Sequence, residues 1–278
     1  MQEMIPIVDC HVHMDVRNAN DYELMAVSGV QAVVVPCSFT GEQRPDAGSY
    51  ARYYDRLLGL EKSRAEAYGI QLFVAVGVDP CDMQDEATVA AAIEALPRYF
   101  GRPGVCALGE LELKSFTDLE TSAFVQQLRL ADRHQVPILL KAPRLDKHNS
   151  VPRMVEVLAR AIRDFDLDPS RIMFFDLTLG TLDYAWKLGL GGYGIPVSPT
   201  LDSLFVIHEK ASPEEAREIL ARYGADRLMF NTALHFGFGD PLALSKVLLY
   251  LRQKGVLIDD LRKVFNGNSR RFLWNERI

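Results

Sequence analysis

The sequence predicts a (β/α)8 TIM barrel, with parallel strands inside an outer ring of helices, and three observations carry that expectation. Short apolar, β-rich runs recur along the chain at a spacing of about 30 residues, the size of one strand–helix unit. Amphipathic segments of helical period lie between them. The length of 278 residues, 48% of them hydrophobic, suits one such barrel, which commonly takes about 250 residues.

The strand runs are IPIVD (5–9), QAVVV (31–35), QLFVAV (71–76), GVCALG (104–109), VPILL (136–140), RIMFF (171–175), GYGIPV (192–197) and RLMF (227–230). Continuous apolar runs of this length suit strands covered on both faces, as in a parallel sheet whose crossovers are right-handed. Among the helices, 119–134 places Phe124, Leu128 and Ala131 on one stripe. The segment 212–223 opens with a Ser212/Glu215 capping box and with Pro213 in the first turn. An open doubly wound sheet is the competing architecture, but no glycine-rich phosphate loop follows the first strand. No low-complexity tract or Pro/Gly/Ser-rich linker divides the chain, so residues 1–278 read as a single domain. The long segment after the second strand, CSFTGEQRPDAGSYARYY (37–54), is the candidate for a mobile lid over the barrel mouth.

Composition narrows the function classes. No apolar run approaches the roughly 20 residues that span a bilayer, and the start of the chain lacks the basic and apolar regions of a secretory signal. The four cysteines, Cys10, Cys37, Cys81 and Cys106, form no CxxC pair, and a reducing cytoplasm suits them. Cys10, Cys37 and Cys106, at strand ends, read as small buried hydrophobes. The net charge of −6 offers no general attraction to nucleic acid or to an anionic membrane.

In barrels the active site forms where strands end and βα loops begin. The first strand runs into IVDCHVHMD (7–15), which places His11 and His13 one residue apart. Residues two apart on a strand share a face, so both imidazoles can enter the barrel mouth and grip a metal. The alternative is a pair of hydrogen-bonded polar residues at the start of a loop. The preceding apolar strand, with Asp9 and Asp15 alongside, favours the metal reading. Asp9 is a candidate to orient one imidazole or to cap the turn. At the fourth strand, GVCALGELELKS places Glu110 just past the apolar residues, with Gly109 giving the backbone room. Glu110 is the candidate carboxylate ligand and Glu112, on the same face by alternation, a lesser one; the competing reading makes both solvated loop glutamates.

The stretches VDCHVHMD and ALGELELK resemble the TatD-like branch of the metal-dependent amidohydrolase superfamily. The order of elements agrees along nearly the whole chain, to the closing FNGNSRRFLW, which is similar to that family's last, Asn-containing helix. HVHMD and the segment DPLAL resemble TatD-like proteins of biosynthetic clusters most. The resemblance implies a (β/α)8 barrel, one or two divalent metals and hydrolysis of phosphoester or amide-type bonds by metal-activated water. By position it makes His11, His13 and Glu110 metal ligands. Three other positions depart from the family. Lys141 stands in ILLKAPRLDK where a histidine is usual, and MFFDLTLGT offers Asp176 and Leu177 for a second histidine. In place of a catalytic aspartate, MFNTALHFGFGD supplies Asn231, Thr232, Ala233 and, later, His235.

Lys141 reads as an anchor for a substrate anion, with Arg144, Lys147 and Arg153 near in sequence, or as half of a salt bridge to a carboxylate such as Asp176. Carbamylation, or a neutral amine acting as base or imine former, ranks below both. His235 is a candidate ligand or general base, or else a loop histidine beside Phe236. Asp240, before Pro241, looks like a helix N-cap. His134 ends a helix, His148 reads as part of a polar loop, and His208 lies in the polar run before the Ser212 cap.

The leading expectation is a metal-dependent hydrolase of a small anionic ester- or amide-type metabolite, with one divalent ion (Zn, Mn or Fe) on His11, His13 and Glu110. Lys141, Arg144 and His235 complete the catalytic set. Two other classes compete: a non-haem iron enzyme built on a two-His, one-Glu triad, and a degenerate barrel that binds a metabolite or a partner protein. A small-molecule substrate is expected, no membrane is, and nucleic acid is disfavoured because the one basic cluster is too small for a duplex. Oligomeric state is left open.

Overall fold

Eight parallel strands pair strictly in chain order, β1 with β2 through to β7 with β8. They are β1 (Ile7–Asp9), β2 (Val30–Pro36), β3 (Gln71–Val76), β4 (Val105–Leu111), β5 (Ile138–Lys141), β6 (Ile172–Phe175), β7 (Gly192–Pro196) and β8 (Leu228–Asn231). The computed structural model describes residues 4–276 apart from 42, 83, 84, 199–208 and 238. Beyond the strand ends, His13 N–H donates to the Leu234 carbonyl (2.8 Å) and Ala233 N–H to the His11 carbonyl (3.1 Å). These bonds bring β1 against β8 and round the sheet into the expected (β/α)8 barrel.

Every expected strand is present, with ends shifted by at most two residues. β1 omits Ile5 and Pro6, since proline has no N–H for a ladder. β4 runs on through Glu110 and Leu111 because the glutamate is buried and paired inside the mouth.

Helices follow the strands: α1 (Ala19–Val27), α2 (Ala47–Arg56), α3 (Lys62–Glu66), α4 (Glu86–Ala95), α5 (Asp118–Arg133), α6 (Lys147–Phe165), α7 (Leu179–Trp186), α8 (Pro213–Tyr223), α9 (Ala243–Gln253), α10 (Ile258–Arg262) and α11 (Asn268–Trp274). The capping box at α8 is as expected: Ser212 Oγ accepts from Glu215 N–H, and the Glu215 carboxylate accepts from Ser212 N–H. No described helix is long and apolar enough to cross a membrane.

Alternation divides the strand side chains between two cores. Ile7, Val33, Val35, Val74, Ile138, Leu140, Phe174 and Phe230 pack outward with the helices. Their neighbours Val8, Ala32, Val34, Ala75, Leu139, Met173, Phe175 and Met229 fill the barrel, with Phe272, Leu273 and Trp274 of α11 against them. The interior is crowded because β7 contributes glycines. A Cβ on Gly194 would collide with the Phe175 ring, and one on Gly192 would lie 2.6 Å from Met229 Cε. Cys10, Cys37 and Cys106 are buried, as expected, whereas Cys81 is exposed.

Three local expectations change. Residues 37–54 are not one long loop: Asp46 caps α2, and Ser49, Tyr50, Tyr53 and Tyr54 lie on that helix. Arg44 anchors the remainder, since its buried guanidinium bonds Asp82 and the Ser38 carbonyl. His148 stands in the first turn of α6 and not in a loop. Asp240 accepts from Leu242 N–H (2.9 Å) in the turn before α9, but the N-cap residue is Leu242. His134 caps the end of α5 as expected, and His208 lies outside the described residues.

Two substitutions test this packing. Gly194→Val is expected to overpack the barrel around Phe175 and cost about 1–3 kcal/mol in urea unfolding. Ser212→Ala removes a cap from α8 and is expected to cost about 1 kcal/mol in the same measurement.

Candidate metal centre at the barrel mouth

The carboxyl ends of β1, β4, β5, β6 and β8 bring the chemically capable side chains together. His11 and His13 follow β1 and are both almost fully buried. Glu110 reaches the mouth through an irregularity in pairing. β4 pairs with β5 at Gly109↔Leu139 and next at Leu111↔Leu140, so Glu110 is the extra residue of a bulge, a device that re-aims a side chain. Gly109 tolerates the local crowding: its φ is +152°, and an added Cβ would lie 2.6 Å from the Leu139 carbonyl oxygen.

Glu110 Oε2 lies 2.7 Å from His11 Nε2 and 3.6 Å from His13 Nε2. One donor atom from each of the three residues falls within 4.8 Å of the others. Two imidazole nitrogens and one carboxylate oxygen, buried and convergent, suit a divalent ion. Nδ1 of His11 and Nδ1 of His13 are buried without a hydrogen-bond partner among the described residues. The His11 ring is fixed from the other side, stacked at 4.6 Å on Phe175, and its Nδ1 lies 3.6 Å from Asp176 Oδ1. Asp176 follows β6 at φ +58° and Ala233 follows β8 at φ +44°, so two strand ends adopt a conformation that L-residues seldom take.

Asp9 does not orient an imidazole. Its carboxylate accepts from Thr232 N–H (3.1 Å), Thr232 Oγ1 (2.5 Å) and the backbone N–H of His11 (3.4 Å). It therefore fixes the main chain that carries His11 and ties β1 to β8. Burial raises its pKa to about 6, against the lowering effect of those hydrogen bonds.

Lys141 is one half of a buried salt bridge, with different partners from the expected Asp176. Its Nζ donates to Glu110 Oε1 (2.9 Å) and Glu112 Oε2 (3.1 Å). Glu112 is therefore buried and paired, not a solvated loop residue. Lys114 approaches the same cluster, 3.3 Å from Asp79 and 3.9 Å from Glu112. Of the basic segment after β5, only Arg144 faces the mouth cavity. Lys147 donates to the Asp176 carbonyl, and Arg153 lies over the Phe116 ring.

Burial opposes charge at each of these groups, and pairing decides the outcome. Burial raises Glu110, but Lys141, His13 and His11 outweigh it and hold the carboxyl well below its ordinary range. Lys141 is pulled down by burial yet held above the usual lysine value by Glu110 and Glu112. Burial takes His13 well below its ordinary value, which favours the neutral imidazole that a metal requires. His11 is lowered by burial but raised on balance by its hydrogen bond to Glu110 and by Asp176.

His235 approaches the same cluster, its ring 4.4 Å from that of His13 and edge-on to it. A cavity of about 270 Å³ opens here, lined by Glu110, Lys141, Arg144, His235, Phe39 and Phe236 among others. Arg144 Nε is buried without a hydrogen-bond partner among the described residues, as are both side-chain polar atoms of Asn231. A larger hollow of about 560 Å³ lies beside Asp15, Arg52 and Arg56 and is lined by none of the His–Glu cluster. The structure thus gathers all the candidate residues: His11, His13, Glu110, Lys141, Arg144 and His235. Sequence reasoning missed the Glu112–Lys141 contact, the Phe175 floor and the Thr232–Asp9 tie.

No protein-family model matches the chain. Over 251 residues it is 29% identical to an uncharacterised metal-dependent hydrolase of Methanocaldococcus jannaschii, covering 90% of this chain and 92% of that one. Its fold is similar to a TatD-like protein of Archaeoglobus fulgidus, with a TM-score of 0.73, 21% identity and coverage of 96% and 99% of the two chains. A TatD family hydrolase of Entamoeba histolytica aligns over 99% and 100% of the chains at 12% identity and a TM-score of 0.64.

Thr232→Val tests the tie beneath the site. It leaves Asp9 without its hydroxyl donor, and the expected cost is about 1–3 kcal/mol in urea unfolding. The chain is thus similar along nearly its whole length to an uncharacterised metal-dependent hydrolase, and its barrel fold is similar to that of TatD-like proteins.

Proposed function

We propose that the protein is a metal-dependent hydrolase that acts on a small anionic metabolite through an ester- or amide-type bond. The observation that carries this reading is the buried convergence of His11 Nε2, His13 Nε2 and a Glu110 carboxylate oxygen. The donor set suits one divalent ion of zinc, manganese or iron. Such an ion supplies Lewis acidity and lowers the pKa of a bound water.

The chain's own residues account for the remaining roles. Lys141, 2.9 Å away, helps hold the Glu110 carboxyl well below the ordinary carboxylate range, which favours a negative ligand. Phe175 and Asp176 flank His11 and hold the imidazole in the mouth. Arg144, facing the cavity with a buried Nε, binds the anionic portion of the substrate by charge-assisted hydrogen bonds. His235, beside His13 on the cavity wall, holds or moves a proton at the scissile group. Lys141 is engaged on both glutamates, so substrate anchoring falls to Arg144.

Metal analysis of protein purified without chelator is expected to give about one ion per chain in the wild type and none above trace in His11→Ala/His13→Ala. Full occupancy in the double variant would refute the proposed ligands. Stoichiometric iron with oxygen consumed alongside substrate would replace hydrolysis by oxygen chemistry. In a screen of carboxylate- and phosphate-bearing esters and amides, Arg144→Gln is expected to raise KM by about tenfold to a hundredfold with a smaller change in kcat. An unchanged KM would remove Arg144 from substrate binding.

A further inference from the structure

We propose that the Lys141 ammonium takes the place of a second cation at this centre and so limits it to a single metal ion. The proposal rests on the His11–His13–Glu110 reading above. Glu110 divides its two oxygens between two sides of the centre. Oε2 faces the histidines at 2.7 and 3.6 Å, and Oε1 faces Lys141 Nζ at 2.9 Å. The same ammonium engages Glu112 Oε2 at 3.1 Å.

Two carboxylate oxygens from different residues therefore converge on one buried point, where each lies within a salt-bridge distance of Nζ. Such an arrangement is what a divalent ion bridged to the first through Glu110 would use. An ammonium fills that position with charge but without coordination, because it carries three donors and no lone pair. Its side chain is 3% exposed, so water screens its repulsion of a second cation weakly. Position also matters. β5 pairs with β6 at Lys141↔Phe175, which places the lysine beside the ring that supports His11. Lys141 is accordingly a positioning residue: it acts on the metal through Glu110, setting which carboxylate oxygen is left for the histidine side.

Equilibrium dialysis against zinc chloride, with zinc then measured per folded chain, tests the proposal without recourse to activity. The wild type and Lys141→Arg are expected to hold one zinc ion, and Lys141→Ala two. The second ion is expected to be lost again in Lys141→Ala/Glu112→Gln. A single zinc in folded Lys141→Ala, two in the wild type, or a second ion that survives loss of Glu112 would each overturn the proposal. Should Lys141→Ala fail to fold by circular dichroism, Lys141→Ser removes the ammonium, keeps a polar group at the end of β5 and leaves the position between the glutamates open. Two zinc ions there support the proposal and one overturns it. A wild type that takes up no zinc and no manganese refutes the ligand set itself, and this proposal with it. One ion in both the wild type and Lys141→Ala refutes only the role of Lys141.

Discussion

The mouth of this barrel depends on one buried carboxylate with two obligations. Glu110 lies almost entirely out of water, with the histidine pair on one oxygen and Lys141 on the other. An unpaired charge in that position would cost several kcal/mol, on the order of a protein's whole stability. The surrounding structure is arranged so that the charge is matched: Lys141 at the end of β5, Glu112 sharing the same ammonium, and Lys114 and Asp79 closing the network toward solvent. A buried network of this kind is valuable only when every member is satisfied.

Position is enforced from beneath and from the side. The β7 glycines leave space for Phe175 to lie within the barrel, and His11 stacks on that ring. Asp9 joins the main chain of His11 to Thr232 at the far end of the sheet. The contacts that fix the main chain of the histidines, the Asp9–Thr232 tie and the bonds to Ala233 and Leu234, are thus the same contacts that bring β1 against β8. Fold closure and site geometry are set by common contacts, so damage to either is expected to appear in both.

His11, His13 and Glu110 were legible because each belongs to a local pattern, an apolar strand followed by a ligand-type residue at the end of the run. The strands were legible for the same reason. The partner of Lys141 was not. Its two glutamates lie 31 and 29 residues away, and their alignment depends on a bulge at Glu110 that local alternation does not reveal. Simple alternation puts Glu110 and Glu112 on one face, but without the facing strand it leaves a solvated reading open for both, and Lys141 as their shared partner stays hidden. Asp240 shows the same limit at smaller scale. An aspartate before proline announces a turn, yet which residue caps α9 is decided two positions on. The segment after β2 was legible only as a long connection, because Arg44, in a polar stretch, is buried against Asp82, a tertiary contact that composition cannot show.

The most direct measurement is a crystal structure of the zinc-soaked protein with anomalous data at the zinc edge. We expect one peak, coordinated by Nε2 of His11, Nε2 of His13 and a Glu110 oxygen, with Lys141 still bonded to Glu110 and Glu112. A well-occupied ion held elsewhere, with the His11–Glu110–Lys141 contacts unchanged, would contradict the account.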